Sequence, residues 1–325
     1  MSGQRLLYSL KLKDWNLALQ RSREIEIGGI GASSEPVLVQ RAIDKFLLDI
    51  ETRQLGKNTQ RKFKHLLQLL KQFCEGSGLI FLSQLSPDET RNFRNTWKLS
   101  PSTAAKELER LKTFLNFCTE CDWLDKNPAK VLKPPKVEPT QIVPFTDEQL
   151  TKLWKTCDGY RKNSRDGDGH RLKLLGQLML ATGLRIGDAS VITRDKFIRT
   201  PEGYEIRLRT AKTRVDVQCP IQNDLAKAIL GLDGPHPFWS GQSSVDDNSG
   251  MWRKRFGRLF KKANITGHCH MFRHTFITRL LVAGVSVENT AALAGNSPAI
   301  IRKHYSAWTK ERQQALGDAV RKTWA

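Results

Sequence analysis

Residues 270–305 read HMFRHTFITRLLVAGVSVENTAALAGNSPAIIRKHY, and the architecture of the C-terminal half follows from them. His270 and Arg273 stand three apart, so on a helix they project from one face. The residues after them, Thr275 to Val282, have helical composition, and Gly284 ends the run. A second short helix is predicted from Ser286 to Ala294, stopping near Gly295. Ser297 followed by Pro298 then has the form of an N-cap and a first helical residue, launching a third helix that carries Tyr305. Two reversals therefore return a phenol towards a histidine–arginine pair. A cationic patch able to transfer protons, with a phenol beside it, suits phosphate chemistry.

Two upstream segments bear on the same patch. ATGLRIGDAS supplies Arg185 and Asp188 at i,i+3, and a helix from about Arg171 to Thr182 leads into it through Gly183. The stretches Tyr204–Leu208 and Val215–Ile221 alternate in hydrophobicity about AKTR, which predicts a β-hairpin with Lys212 at its turn, set in a mainly helical domain. Taken singly these residues say little. Arg-x-x-Asp is most often a surface ion pair, a turn lysine is most often solvated, and a lone tyrosine is most often a packed ring with a wet tip.

Further towards the N-terminus the pattern is helical. Val39, Ile43, Phe46, Leu47 and Ile50 recur at helical spacing, and Thr59 to Phe73 repeats this with Phe63, Leu66, Leu67, Leu69, Leu70 and Phe73. Ser86–Trp97 begins with Ser-Pro and an acidic turn, and a fourth helix runs from Ser100 or Ser102 to Glu120. Four helices make a small bundle with Lys- and Arg-rich polar faces. Asn127–Pro144 contains five prolines and reads as an extended linker with little that packs. Thr146 then caps a helix opened by Asp147 and Glu148. The expected domains are an N-terminal extension over 1–35 with a helix from about Leu12 to Ile27, a helical domain over 36–133, a linker over 134–144, and a C-terminal domain over 145–325.

Composition limits the partner. Lys and Arg number 53 against 33 acidic residues, a net charge of +20 over 325 residues. Such a surplus favours a polyanion, since each neutralised phosphate releases condensed counterions. The basic residues are spread along the chain and not gathered on one amphipathic segment, which favours nucleic acid over a membrane surface. No apolar run approaches the roughly 18 residues needed to span a bilayer, and the N-terminus lacks the apolar core of a secretory signal. Six cysteines in a chain this long make no dense disulfide framework. Cys118 and Cys121 form one CxxC without the second pair that structural zinc would need. His270 and His274 lack the intervening Glu of a metalloprotease helix. The expectation is a reduced cytoplasmic protein without metal or cofactor.

Arg185, Lys212, His270, Arg273 and Tyr305, in that order and each in its own local context, resemble the tyrosine recombinase (phage integrase) family. ATGLRIGDAS is similar to the family's first-arginine motif and TAKTRVDVQCPI to its lysine hairpin. HMFRHTF matches its His-x-x-Arg box, and AGNSPAIIRKHY the segment ending in the nucleophile. The resemblance spans Phe145 to Trp308, and residues 36–133 are similar to the family's SAM-like core-binding domain.

The resemblance implies a mainly α protein with a small β-sheet: a four-helix core-binding domain and a mostly helical α+β domain of the DNA breaking–rejoining type. It implies a site-specific recombinase that cleaves and rejoins duplex DNA through a 3′-phosphotyrosyl link, without ATP, cofactor or metal. Arg185 and Arg273 would hold the non-bridging phosphate oxygens with forked donors. Lys212 would be the general acid for the departing 5′ oxygen. His270 would bind the scissile phosphate and shuttle a proton to or from Tyr305, whose phenol, with an ordinary pKa of about 10, needs help to attack phosphorus. Asp188 would orient Arg185 or His270, and His274 would pack behind the site. Asn296 stands where the family usually has His or Trp; its amide can donate to a phosphate but cannot titrate. The implied partners are double-stranded DNA and further copies of the chain, as a homotetramer on paired sites joined through the C-terminal tail, with no membrane or small-molecule substrate. The implied location is the prokaryotic cytoplasm, at the nucleoid. Two alternatives stand beside this reading: a DNA-binding protein of recombinase descent with little cleavage, and an enzyme like the type IB topoisomerases.

Overall fold

The computed structural model describes residues 36–138, 142–160, 169–305 and 310–321, together with Trp15, Ala18, Leu19, Ser22, Trp308 and Trp324. The helix expected over residues 12–27 lies outside the described residues apart from those four. The chain divides into two compact units, Met1–Pro139 and Thr140–Ala325.

The first unit is built from α1 (Val39–Thr52), α2 (Lys57–Gly76), α3 (Pro87–Asn95) and α4 (Pro101–Glu120). The helical spacing of apolar residues becomes one core: Ala42, Ile43, Phe46 and Ile50 of α1 meet Phe63, Leu66, Leu67 and Leu70 of α2 and Leu111, Phe114 and Leu115 of α4. Ser86 caps α3, its hydroxyl accepting from the Glu89 N–H at 3.2 Å, with Pro87 at the first helical position.

The proline-rich segment departs from the expected linker at its start. Pro128–Val131 forms a 3₁₀ turn, and Ala129 and Leu132 are buried in the helical core. Asn127 accounts for this. Its amide N–H donates to Lys112 O at 3.0 Å and Asn116 Oδ1 at 2.6 Å, while its Oδ1 accepts from Ala129 N at 2.9 Å. Side-chain hydrogen bonds to backbone leave no trace in a hydrophobicity pattern.

The second unit holds α5 (Asp147–Asp158), α6 (Gly169–Thr182), the short α7 (Ile186–Ala189), β1 (Phe197–Thr200), β2 (Gly203–Arg209), β3 (Asp216–Ile221), α8 (Asn223–Leu230), α9 (Val245–Lys262), α10 (His270–Val282), α11 (Val287–Ala294), α12 (Pro298–Tyr305) and α13 (Lys310–Arg321). The expected hairpin is β2–β3, paired antiparallel with Ile206 opposite Cys219 and Leu208 opposite Val217. β1 adds a third antiparallel strand, Phe197 opposite Ile206. Four residues, two of them Arg199 and Thr200, are too few to show alternation. Helices α8 and α9 lie where the sequence analysis assigns no element; α9 is capped by Ser244 and buries Trp252, Phe256, Leu259 and Phe260. These pack with Leu175, Leu178 and Phe272 into the main core. A smaller cluster joins Val217 and Cys219 of β3, Phe276, Ile277 and Leu281 of α10, Ala291 and Ala294 of α11, and Ile301 and Tyr305 of α12. Among the described residues no helix is long and apolar enough to cross a membrane.

Candidate active site

The α10–α12 run folds as its punctuation predicts. Ser286 caps α11, accepting from Asn289 N at 3.2 Å. Gly295 ends it at φ +59°, and a Cβ there would lie 2.8 Å from Val217 and 3.1 Å from Thr210, so the turn is pressed against the hairpin. α12 then docks through Ile301 and Tyr305 on the apolar cluster it shares with α10.

Arg273 is only 2% exposed. Its Nη1 donates to Gly183 O at 2.7 Å, across the turn that follows α6. Gly183 has φ +65°, and a Cβ would stand 2.4 Å from the Phe276 ring, so glycine alone lets this carbonyl be presented. The other terminal nitrogen of Arg273, Nη2, is buried without a hydrogen-bond partner among the described residues, and so is Nη1 of Arg185. Burial, then the Arg185 charge, lowers the Arg273 pKa to about 10, with Tyr305 and Asp188 partly offsetting the shift. Two neighbouring guanidinium groups with unused buried donors are costly unless an anion accepts from both.

Tyr305 is 3% exposed, and burial pushes its phenol up to about 12 against the pull of Arg273 and Arg185. Its oxygen lies 2.5 Å from His274 Nδ1. Burial, then the charges of His268, Arg273 and His304, bring His274 down to about 4, which leaves it neutral at ordinary pH. His270 is one turn earlier, its ring centroid 4.7 Å from that of His274. Although His270 keeps an open face to solvent, the surrounding protein and then His274, Arg273 and Arg185 hold it well below the usual imidazole range.

The phenol is paired with the second of the two histidines. The sequence reading gave the phenol's proton to His270 and left His274 as packing, whereas the phenol contacts His274. Residues 270 and 274 are four apart on one helix face, so spacing alone cannot say which turn of α10 the returning α12 meets. Only the tertiary path through Gly295 settles it.

Asp188 is 8% exposed. It makes no hydrogen bond to Arg185 or His270 among the described residues; its Oδ1 accepts from Ala211 N at 2.9 Å. On the other side of the turn, Thr213 Oγ1 donates to Gly295 O at 3.3 Å and lies 2.7 Å from Thr210 Oγ1. Lys212 is exposed between these anchors. The lysine turn is therefore tied by one neighbour to α7 and by the other to the turn that precedes α12. Asn296 is half-buried, and its Oδ1 accepts from Ser297 N at 3.2 Å, helping to open α12. The structure thus gathers Arg185, His270, Arg273, His274 and Tyr305, and ties the turn that carries Lys212 to Asp188 and to Gly295, the residue before Asn296. Gly183 and Thr213 escaped the sequence reading, the first because it works through a carbonyl and the second because a turn threonine is unremarkable.

Residues 144–312, more than half of the chain, match the sequence pattern of the phage integrase family, and residues 41–134 match the phage integrase SAM-like domain. A tyrosine recombinase XerC of Chlamydia muridarum is 23% identical over 214 residues, which are 61% of this chain and 64% of the relative. A XerC of Vibrio cholerae is 26% identical over 273 residues, covering 80% of this chain and 86% of that protein. The integrase of Escherichia phage 186 is 21% identical over 225 residues, 69% of this chain and 61% of that one. The chain thus spans less than two thirds of the length of the chlamydial and phage 186 relatives. Among solved structures, a lambda integrase dimer bound to a COC′ core site superposes with TM-score 0.68 at 16% identity, covering 92% of this chain and 88% of that one. The Tn1549 transposon integrase in complex with a circular intermediate DNA superposes with TM-score 0.63 at 21% identity, covering 87% and 99%. These likenesses establish the fold.

Proposed function

Because the chain belongs to the phage integrase family, we propose that it is a site-specific recombinase which cleaves and rejoins double-stranded DNA through a 3′-phosphotyrosyl intermediate. The observation that carries this reading is the pair of buried guanidinium nitrogens, Arg185 Nη1 and Arg273 Nη2, left without partners in the same site as the Tyr305 phenol. A phosphodiester supplies two non-bridging oxygens to such donors, and their hold tightens as charge builds on those oxygens in the transition state. Lys212, on its anchored turn, is the proposed general acid for the leaving 5′ oxygen. His270 and Asn296 are proposed phosphate donors. Asp188 positions the Lys212 turn.

The net charge of +20 supports an extended DNA contact. The unit over 36–133 is proposed as the core-binding domain, 134–144 as the link, and 145–325 as the domain that performs cleavage. The exposed Val320 and Trp324 near the end of the chain support a proposed tetramer on paired sites, in which α13 (Lys310–Arg321) docks on a neighbouring copy. The proposed place of action is the prokaryotic cytoplasm, at the nucleoid.

A nicked duplex that loses its short 5′-terminal fragment after cleavage traps the covalent adduct and tests this reading. The intact chain should accumulate protein–DNA adduct. Tyr305→Phe should give none while binding DNA almost as well, since one oxygen is lost and the basic surface stays. DNA binding without adduct by the intact chain would replace the enzyme with a binding protein, and adduct from Tyr305→Phe would move the nucleophile elsewhere.

A further inference from the structure

Among the described residues the phenol of Tyr305 has one polar contact, and it is with His274, not with the histidine of the His-x-x-Arg box. We propose that His274 is a catalytic residue: its Nδ1 accepts the Tyr305 proton as the phenol attacks phosphorus and returns it when the phosphotyrosyl bond is broken. The inference rests on the recombinase reading above and adds to it the group that handles the nucleophile's proton.

Geometry carries the proposal. His274 Nδ1 lies 2.5 Å from Tyr305 Oη, inside the reach required of a general base in its resting position. The tautomer with hydrogen on Nε2 accepts at Nδ1 from the phenolic O–H. The imidazole is half-buried between α10 neighbours and the α12 end, with the His268 ring centroid 6.3 Å away and that of His270 4.7 Å away. His270 faces the solvent-open side of the site, where DNA can reach it. The two histidines of HMFRH thereby separate into one facing the phosphate and one facing the phenol.

The balance of the step is simple. In cleavage the Oη–H bond breaks, the proton passes to His274 Nδ1 and the Oη–P bond forms. The P–O5′ bond breaks, and the 5′ oxygen leaves with a proton from Lys212. In religation the 5′ hydroxyl returns its proton to Lys212 and forms P–O5′, and Tyr305 departs with the proton held by His274. In the free protein both partners are neutral, the phenol raised and the imidazole lowered by burial. The proton therefore moves only as the new P–O bond removes charge from the phenol oxygen. A phosphate anion at Arg273 also offsets one of the positive charges that hold His274 neutral.

The test uses the nicked duplex under single-turnover conditions with the intact chain and His274→Asn, each prepared with tyrosine or 3,5-difluorotyrosine at position 305. Asparagine keeps an amide near the Nδ1 position and cannot take the proton. His274→Asn should form adduct about 10²-fold more slowly, with DNA affinity unchanged. The fluorinated phenol, being more acidic, should recover most of that loss in His274→Asn and add little to the intact chain. Adduct formation by His274→Asn at the rate of the intact chain overturns the proposal and leaves the recombinase reading standing. A slow His274→Asn that the fluorophenol does not rescue also overturns it, because His274 then only props the site. If the intact chain binds the duplex and forms no adduct, the recombinase reading fails and takes this inference with it.

Discussion

The first unit closes around Phe46, whose ring meets Phe63, Phe114 and Phe117 edge-on at 5.1–5.4 Å. The second closes around Phe272, which packs against Phe145, Trp154 and Phe256, and the very next residue, Arg273, is as thoroughly buried as the aromatic beside it. Described residues of the first unit bury no charged side chain; the second buries Asp188, Glu205 and Arg273. Taking an ion out of water opposes folding unless partners repay it, and Arg273 is only partly partnered. The first unit spends its interior on cohesion, and the second gives up some cohesion to hold donors ready for a ligand.

The sharpest way to press that contrast is to damage the first core. Phe46→Ala should destabilise its unit by about 3–5 kcal/mol, lowering the melting transition, while adduct formation per folded molecule holds. A large loss of rate in the molecules that remain folded would erase the distinction. Arg273→Met tests the other half. Removing a preorganised donor should slow adduct formation by about 10²–10³-fold, yet melting should stay level or rise, because an apolar side chain of similar length replaces a buried ion. A marked fall in melting temperature would show that Arg273 also supports the fold. The smallest effect belongs to the lysine turn. Asp188→Ala removes the acceptor for Ala211 N and should slow cleavage roughly tenfold. On DNA with a 5′-bridging phosphorothiolate, whose sulfur leaves without a proton, the loss should shrink. An equal loss on both substrates would mean that Asp188 tunes the arginines and not the lysine.

Legibility followed the same divide. The four helices described between residues 39 and 120 could be read because apolar spacing and Ser-Pro starts record a core without buried charge; the misjudged part was 127–132, where Asn127 works by hydrogen bonds. In the second unit the α10–α12 run was readable from Gly284, Ser286, Gly295 and Pro298, and the resemblance supplied Arg185, Lys212, His270, Arg273 and Tyr305. That the phenol meets His274 and not His270 was not readable, nor was the attachment of Asp188 to the lysine turn. Both depend on contacts 31 and 23 residues apart in sequence, which no local pattern encodes. β1 and α9 escaped for different reasons: the strand is short, and α9 covers its apolar stripe with eight Lys, Arg and Asp side chains.

Gly183 carries no functional group, yet the arginine fork is hung from its carbonyl, and the Phe276 ring fills the space where any side chain would begin. A catalytic side chain can be traded for a relative that preserves some of its chemistry, as lysine partly replaces arginine. Position 183 has no such neighbour in the amino-acid alphabet. Any exchange must at once relieve a left-handed backbone, find room beside an aromatic ring and keep one oxygen aimed at Arg273, so no route of single tolerated steps leads away from it. In drift over long times, the chemically mute position is therefore the harder one to leave, and it confines the paths by which the site around it can change.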